Sequence, residues 1–195
     1  MSEILFIRHA ETDMAGTFCG HSNPPLNMHG RTQLSKLLNT LSAESIEEVY
    51  ASDLLRAQET GEAIAKDRAV ECHLRSALRE INFGQWEGLT WNEIEQTHSA
   101  YAQRWVAEYP DLPAPNGESF SNFERRVLSE VKLLSMKAMD GSIAVVTHGG
   151  VLRTVMCRLC GHSEEEAWKS ATPYCSIVRY KIPRSLLVQA AEVRS

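Results

Sequence analysis

Residues 143–150 read IAVVTHGG, and this stretch decides the fold class. Its first four residues are all apolar, which predicts a buried strand at the centre of a sheet. A helical pattern of apolar residues begins directly after the two glycines, at Leu152, Val155, Met156 and Leu159. A buried strand that runs straight into an amphipathic helix is typical of a parallel sheet covered by helices.

The same alternation of strands and helices extends along the rest of the chain. Further strands are predicted at residues 4–7, 49–51, 70–74 and 175–182, and the alternating pattern of the last one places it at a sheet edge. The predicted fold class is therefore α/β, a three-layer α/β/α arrangement. Its central sheet is expected to be mostly parallel, with one antiparallel edge strand.

Between these strands, apolar residues recur at helical spacing over residues 34–41, 54–64, 90–108 and 120–134. Asn27 is the candidate N-cap of the first helix, and Ser52 or Asp53 is expected near the start of the second. Thr90 and Glu93 form a capping-box pattern at the start of the third. The helices therefore begin at residues whose side chains satisfy free backbone N–H groups.

Length and composition indicate one folded domain. The chain has 195 residues, 43% of them hydrophobic and 23% charged, which is usual for globular proteins. A chain of this size buries about 70% of its unfolded surface, so it needs neither disulfides nor a metal to form a core. We expect a single domain over residues 1–195, with residues 84–118 forming a small helical and loop cap over the functional site.

Charge and cysteine content exclude several classes of function. Lysine and arginine number 20 against 25 aspartate and glutamate, a balance that argues against nucleic-acid binding. No apolar run of about 20 residues predicts a membrane span, and five scattered cysteines suit a reduced, cytoplasmic environment. Cys157 and Cys160 form a CxxC pair, but no second pair completes a zinc site. The sequence does not predict an oligomeric state.

Polar groups follow three of the predicted strands. Arg8 and His9 follow the first, Ser52, Asp53 and Arg56 follow the second, and residues 147–150 follow the 143–146 strand. Each group alone is more often a surface feature or a turn than a site. Because parallel strands end at the same edge of a sheet, we expect the three groups to share one crevice. Arginines beside a helix N-terminus indicate a pocket for a phosphate or another anion.

Four strings of residues carry a resemblance to a known family. They read RHAET at residues 8–12, SDLLRAQET at 52–60, REINFGQWEG at 79–88 and THGGVLR at 147–153. In this order the strings resemble those of the histidine phosphatase, or phosphoglycerate mutase-like, superfamily. The resemblance implies a phosphoglycerate mutase-like fold and a phosphatase that acts without a metal ion or other cofactor on a small phosphorylated metabolite.

The resemblance also assigns roles to individual residues. His9 is the implied nucleophile, Arg8, Arg56 and His148 are the implied phosphate pocket, and Glu80 is the implied proton donor to the leaving group. The two arginines would favour the neutral form of His9, which a nucleophile requires. Further contacts to substrate are expected from Gly149 and from the loop that contains Cys19, Gly20 and His21.

Within the superfamily, the chain looks most like the short alpha-ribazole phosphatases of cobalamin biosynthesis. The similar features are residues 20–21 before the Pro25-Leu26 pair, the run 83–87 and the segment 105–119. A broader sugar-phosphate or nucleotide phosphatase and a mutase-like enzyme are the alternatives. Ala10 and Ala15 stand where many members carry glycine and asparagine. The alanine at position 15 leaves an inactive phosphate-binding module as an alternative from another class.

Overall fold

The structure is a computed structural model that describes residues 3–139 and 141–183. The order of its main elements along the chain is β1 (Glu3–Arg8), α1 (Met28–Thr40), β2 (Glu48–Ala51), α2 (Leu55–Arg68), β3 (Cys72–Leu74), α3 (Trp91–Thr97), α4 (Ser99–Ala107), α5 (Phe120–Lys137), β4 (Ser142–Thr147), α6 (Gly149–Leu159), α7 (Glu164–Ala171) and β5 (Ile177–Lys181). Short 3₁₀ turns lie at Leu41–Ala43, Ser76–Leu78 and Gly84–Trp86. None of the described helices is both long and apolar enough to cross a bilayer.

The five strands form one sheet in the order β3-β2-β4-β1-β5. β4 pairs in parallel with both β1 and β2, and β2 pairs in parallel with β3. β5 pairs antiparallel to β1 at the sheet edge. The predicted fold class is thus confirmed, with one antiparallel edge strand. The carboxyl ends of β1, β2 and β4 lie side by side at one edge of the sheet.

Two apolar layers cover the two faces of the sheet. Successive side chains of a strand point to opposite faces, so Leu5 and Ile7 of β1 pack with α1 and α2, while Ile4 and Phe6 pack with α5 and α6. All four side chains are fully buried. Each contributes about 1.5 to 3 kcal/mol of burial free energy, which fixes the strand whose end carries Arg8 and His9.

The helix starts follow the predicted caps in two cases and depart from them in one. The Asn27 side chain accepts a hydrogen bond from the Gly30 N–H, and the capping box of Thr90 is present. α2 begins instead after Leu54, which has no side-chain cap. Ser52 acts nearby, because its Oγ accepts the Leu54 N–H at 3.3 Å.

The prediction of a single helix over residues 90–108 is wrong, because the structure has two helices there. The backbone leaves the helical region at His98, with φ −131° and ψ 32°, and this residue separates α3 from α4. The break lets both helices pack around Trp86, which is fully buried with Ile94 and Ala102 in a third apolar cluster. Phe18, from the loop after β1, packs against this cluster and joins residues 84–118 to the carboxyl edge of the sheet.

Candidate active site

The three polar groups that follow β1, β2 and β4 come together at the carboxyl edge of the sheet. The ring centres of His9 and His148 are 5.1 Å apart, and Arg56 Nε lies 3.2 Å from His9 Nε2. Ser52 Oγ lies 2.9 Å from His148 Nε2. All four side chains are buried. The order β2-β4-β1 produces this cluster, because it places the three strand ends next to each other.

The surroundings of His9 fix its tautomer and its charge. Its Nδ1 lies 2.7 Å from the Ala10 carbonyl oxygen, which only accepts hydrogen bonds, so Nδ1 carries the proton and donates. Nε2 is then the unprotonated atom, and it accepts the Arg56 Nε–H. Burial, followed by the charges of Arg56 and Arg8, lowers the pKa of His9 well below its ordinary value. His9 is therefore a neutral imidazole with its lone pair on Nε2 at neutral pH.

Arg56 is held by main-chain carbonyl groups. Nη1 donates to the Ser22 carbonyl at 2.7 Å, and Nη2 donates to the carbonyls of Cys19 and Gly20 at 3.1 and 2.7 Å. Within the described residues, no carboxylate oxygen forms an ion pair with this guanidinium. Burial lowers the pKa of Arg56, but an arginine stays charged at neutral pH. A buried positive charge thus lies directly beside His9.

Arg8 adds a second guanidinium to the site. Its Cζ lies 4.2 Å from the ring centre of Tyr174. Within the described residues, the guanidinium makes one hydrogen bond, a long one of 3.4 Å from Nη1 to the Ala171 carbonyl. The buried Nε atom has no hydrogen-bond partner among the described residues. A Cβ added to Gly149 would lie 3.7 Å from the guanidinium carbon, so the first turn of α6 lies beside Arg8. Buried donors without partners are typical of groups that bind a ligand.

His148 occupies the N-cap position of α6 and is a second buried imidazole. Ser52 Oγ accepts the Leu54 N–H and contacts His148 Nε2, which orients the ring. Nδ1 is buried and has no partner among the described residues. Burial, then the nearby Arg56, His9 and Arg8, lowers the pKa of His148 well below its ordinary value. Nδ1 is therefore available to bind a polar group.

The carboxylate of Glu80 lies at the first turn of α6, directly after His148. Its Oε2 accepts the Gly150 N–H at 2.8 Å, and its Oε1 accepts the Ile81 N–H at 3.0 Å. A Cβ at residue 150 would lie 2.2 Å from Glu80 Oε1, so the close approach requires glycine. The Gly150 N–H is thus bound to Glu80.

A cavity of about 610 Å³ opens from this side of the site. Its inner wall contains Arg8, Glu80 and Gly150, and its remaining walls are rich in aromatic rings, from Phe18, Phe83, Trp91, Trp105, Tyr109, Phe120, Phe123 and Trp168. The other carboxylates that line it are paired with arginines, Glu118 with Arg126, Glu124 with Arg158 and Glu164 with Arg153. Apart from Arg8 and Glu80, the cavity is therefore largely apolar, with its lining carboxylates neutralised by arginines.

The loop that contains Cys19, Gly20 and His21 contacts the site through two main-chain carbonyls and the His21 side chain. The carbonyls of Cys19 and Gly20 bind Arg56, and His21 Nε2 lies 3.1 Å from the Glu80 carbonyl oxygen. The loop thus orients Arg56 and the backbone of Glu80.

Two residues near the site were not among the sequence candidates. Tyr174 stacks on Arg8 and lies 5.6 Å from the His9 ring. Ser52 is predicted near the start of α2 and in the shared crevice, but its contact with His148 is not predicted by the sequence. Tyr174 precedes an antiparallel strand, and the start of such a strand lies beside the carboxyl ends of its parallel neighbours. The position of Tyr174 near the site could therefore have been predicted from this property of the sheet.

No group of three or more His, Cys, Asp or Glu side chains is arranged to hold a metal ion in the part of the chain that the structure describes. The thiols of Cys157 and Cys160 lie on α6 and at its C-terminal end, respectively. Burial raises the pKa of both thiols, which makes them poor nucleophiles at neutral pH.

Comparisons with known proteins extend the geometric findings. The model of the histidine phosphatase superfamily (branch 1) matches residues 4–188. The chain is 32% identical over 167 residues to the adenosylcobalamin/alpha-ribazole phosphatase of Escherichia coli (strain K12), covering 85% of this chain and 82% of that protein. It is 33% identical over 168 residues to a metal-independent phosphoserine phosphatase of Arabidopsis thaliana, covering 82% and 69%. The crystal structure of the alpha-ribazole phosphatase from Shigella flexneri matches with a TM-score of 0.84 at 29% identity, covering 93% and 91%.

Proposed function

The chain belongs to the histidine phosphatase superfamily (branch 1) and is a phosphatase, and on this basis we propose that it hydrolyses alpha-ribazole 5′-phosphate in cobalamin biosynthesis. The reaction proceeds through a phosphohistidine at His9 and uses no metal ion. The observation that carries the proposal is the buried His9 Nε2 lone pair. It lies beside Arg56 and His148, while Glu80 and the aromatic cavity lie across the site.

In the first step, His9 Nε2 attacks the phosphorus atom. A nitrogen–phosphorus bond forms and the ester phosphorus–oxygen bond breaks, while the proton of the Glu80 carboxylic acid passes to the leaving oxygen. The Nδ1–H of His9 stays on the Ala10 carbonyl and supports the positive charge that develops on the ring. Arg8, Arg56 and His148 stabilise the charge on the phosphoryl oxygens, which is the main task of a phosphoryl-transfer site.

In the second step, water attacks the phosphorus and the nitrogen–phosphorus bond breaks. The Glu80 carboxylate accepts a proton from the water, which returns the acid to its starting form and releases inorganic phosphate. Burial and the neighbouring cations keep His9 neutral, so the nucleophile needs no general base of its own. One carboxyl group therefore serves as acid in the first step and as base in the second.

The cavity supports an uncharged leaving group that carries aromatic rings. Glu80 donates its proton to the leaving oxygen and also lines the cavity, so the leaving group extends into it. Its aromatic walls suit the planar base of alpha-ribazole. A serine or glycerate leaving group has a carboxylate that needs a free cation, but Arg153 and Arg158 are already paired with carboxylates. This favours alpha-ribazole phosphate over phosphoserine, the substrate that the name of the Arabidopsis relative gives.

A panel of phosphate monoesters tests the proposal. The wild-type protein and His9→Ala are assayed with alpha-ribazole 5′-phosphate, phosphoserine, 3-phosphoglycerate, glucose 6-phosphate, AMP and p-nitrophenyl phosphate. We expect kcat/KM to be highest for alpha-ribazole 5′-phosphate and His9→Ala to be inactive on every ester. Equal values for all esters would refute the specific substrate and indicate a broad phosphatase. Equal background rates for both proteins would indicate an inactive binding module.

A further inference from the structure

Glu87 is the most heavily hydrogen-bonded carboxylate near the site, and the proposed reaction gives it no role. Its Oε2 accepts from the N–H groups of Gly20 and Ser22 and from Ser22 Oγ, at 3.0, 2.9 and 2.7 Å. Its Oε1 accepts from the N–H groups of His21 and Phe83, at 2.7 and 2.9 Å. Both oxygens are therefore bound to donors that cannot turn away, apart from the Ser22 hydroxyl.

The loop between these donors connects Glu87 to Arg56. Gly20 and Ser22 donate their N–H groups to Glu87 and present their carbonyls to the Arg56 guanidinium, and the Cys19 carbonyl joins them. The loop backbone thus lies between an anion and a cation, with its peptide dipoles aligned along that direction. Arg56 Nε is left to face His9 Nε2.

Two further observations show that the loop packs closely against Glu87 and stabilises its charged form. A Cβ at residue 20 would lie 2.4 Å from Glu87 Oε1 and 2.1 Å from the Ile81 carbonyl oxygen, so the loop approaches the carboxylate only because residue 20 is glycine. Burial alone would raise the pKa of Glu87. The hydrogen bonds from Ser22, Phe83 and His21 outweigh this effect and hold the pKa below its ordinary value, which shows that they stabilise the charged form.

We infer that Glu87 is a positioning residue for phosphate binding, because its carboxylate holds the 19–22 loop in the conformation whose carbonyls aim Arg56 at the phosphoryl group. The inference rests on the proposed function for its kinetic consequences. It assigns Glu87 no contact with substrate. Its effect reaches the reaction only through Arg56.

The first test replaces Glu87 with glutamine. Whichever way the amide turns, its NH₂ group meets N–H donors, so the loop loses its common acceptor. We expect kcat/KM on p-nitrophenyl phosphate to fall about 10- to 100-fold. This fall should not exceed the one caused by removing a group that binds the phosphate directly. KM and the inhibition constant of inorganic phosphate are each expected to rise about tenfold. Glu87→Asp keeps the charge on a shorter side chain, and its values are expected to lie between those of wild type and Glu87→Gln.

The inhibition constant separates positioning from a merely structural role. A variant that only unfolds more easily loses active molecules, which lowers kcat and leaves phosphate affinity unchanged. The matched control is Glu130→Gln. Glu130 lies on α5, away from the site, and its buried carboxylate binds Arg75 through both oxygens. It is expected to lower Tm with wild-type KM and phosphate inhibition. An unchanged phosphate inhibition constant in Glu87→Gln would overturn the inference.

A double-mutant cycle adds a decisive measurement. If Glu87 acts through Arg56, adding Glu87→Gln to Arg56→Ala leaves phosphate affinity where Arg56→Ala alone puts it. Additive losses would show that Glu87 acts by another route and would overturn the inference. If Glu87→Gln does not fold, Glu87→Asp takes its place in the cycle. Direct phosphate titration by calorimetry needs no turnover, so the result stands even if the proposed reaction fails in the ester panel.

Discussion

Replacing Gly150 with alanine is expected to remove the proton donation proposed for Glu80 while leaving the proposed phosphate pocket in place. The added Cβ would lie 2.2 Å from Glu80 Oε1, whereas real Cβ atoms essentially never approach closer than 3.0 Å. The carboxylate must therefore retreat by about 0.8 Å, because the residue 150 backbone is fixed in the first turn of α6. The three heavy atoms nearest to the new methyl group all belong to the Glu80 carboxyl group, so the clash falls on Glu80.

The size of the effect follows from this displacement. A misplacement of about 1 Å in a reacting group costs on the order of 100-fold in rate, so kcat on an alkyl phosphate is expected to fall by about that factor. Alanine in a helix is about 0.5 to 1 kcal/mol more favourable than glycine, and the strained Gly150–Glu80 hydrogen bond offsets a similar amount. The variant is therefore expected to fold with nearly the wild-type free energy of unfolding.

The assay compares two leaving groups. p-Nitrophenolate is a stable anion that departs without a proton, so kcat on p-nitrophenyl phosphate is expected to fall only a few-fold. An alkyl phosphate, whose leaving oxygen needs the proton, shows the full loss, and Glu80→Gln shows the same contrast. Equal losses of kcat on both esters, or no loss on the alkyl ester, would refute the placement of Glu80 as the acid.

Three further outcomes follow from the same geometry. Because the pKa values of His9 and His148 are lowered in the folded protein, their stabilising effect is present above the unfolded value of about 6.5 and lost at lower pH. Tm is expected to fall between pH 7 and pH 5, less steeply for His9→Asn in the same thermal scans. Arg56→Lys cannot reproduce the four contacts of the guanidinium, and kcat/KM measured on p-nitrophenyl phosphate is expected to fall about 10²- to 10³-fold. Trp168 lines the cavity with 63% of its surface exposed, so Trp168→Ala is expected to raise KM about 3- to 10-fold for alpha-ribazole 5′-phosphate, and less for glucose 6-phosphate.

The convergence of Arg8, His9, Arg56 and His148 was predictable because it depends on sheet geometry alone. Parallel strands end at one edge, so residues that follow β1, β2 and β4 meet there whatever the details of packing. The pairing order of those strands was not predictable from their apolar patterns, since each is buried on both faces. Nothing in the sequence says that β4 lies between β1 and β2.

Other features depended on signals that are weak or non-local. α7 follows a capping box of Ser163 and Glu166, but its apolar face is short, so the local pattern alone did not indicate a helix. The break at His98 results from packing around Trp86 and leaves no mark in the helical spacing. Glu87 acquires its five donors only when two loops distant in sequence are placed together. Such contacts arise from tertiary structure, and single-residue patterns do not encode them.

Ala10 stands where many family members carry glycine. The backbone of Ala10 does not adopt a conformation that would require glycine. Its φ is not among the positive values found in the described residues, and its buried Cβ is accommodated while its carbonyl still accepts the His9 Nδ1–H. Its N–H also donates to Thr60 Oγ1 at 3.2 Å. The alanine therefore keeps both hydrogen bonds that hold the His9 backbone and ring.

The cluster of buried cations destabilises the folded protein. Its positive charge favours the binding of an anion for the same electrostatic reason. Burial lowers the pKa of both Arg8 and Arg56, and each guanidinium lowers the pKa of His9, so the charged groups destabilise one another in the folded protein. Carbonyl dipoles from the 19–22 loop compensate Arg56 only partly, since a carbonyl carries no net charge. A carboxylate in their place would neutralise Arg56 and remove its attraction for a phosphate dianion. The fold instead keeps the nearest carboxylate, Glu87, one peptide layer away, where it binds the loop and leaves Arg56 with the positive charge that the proposed mechanism uses to bind phosphate.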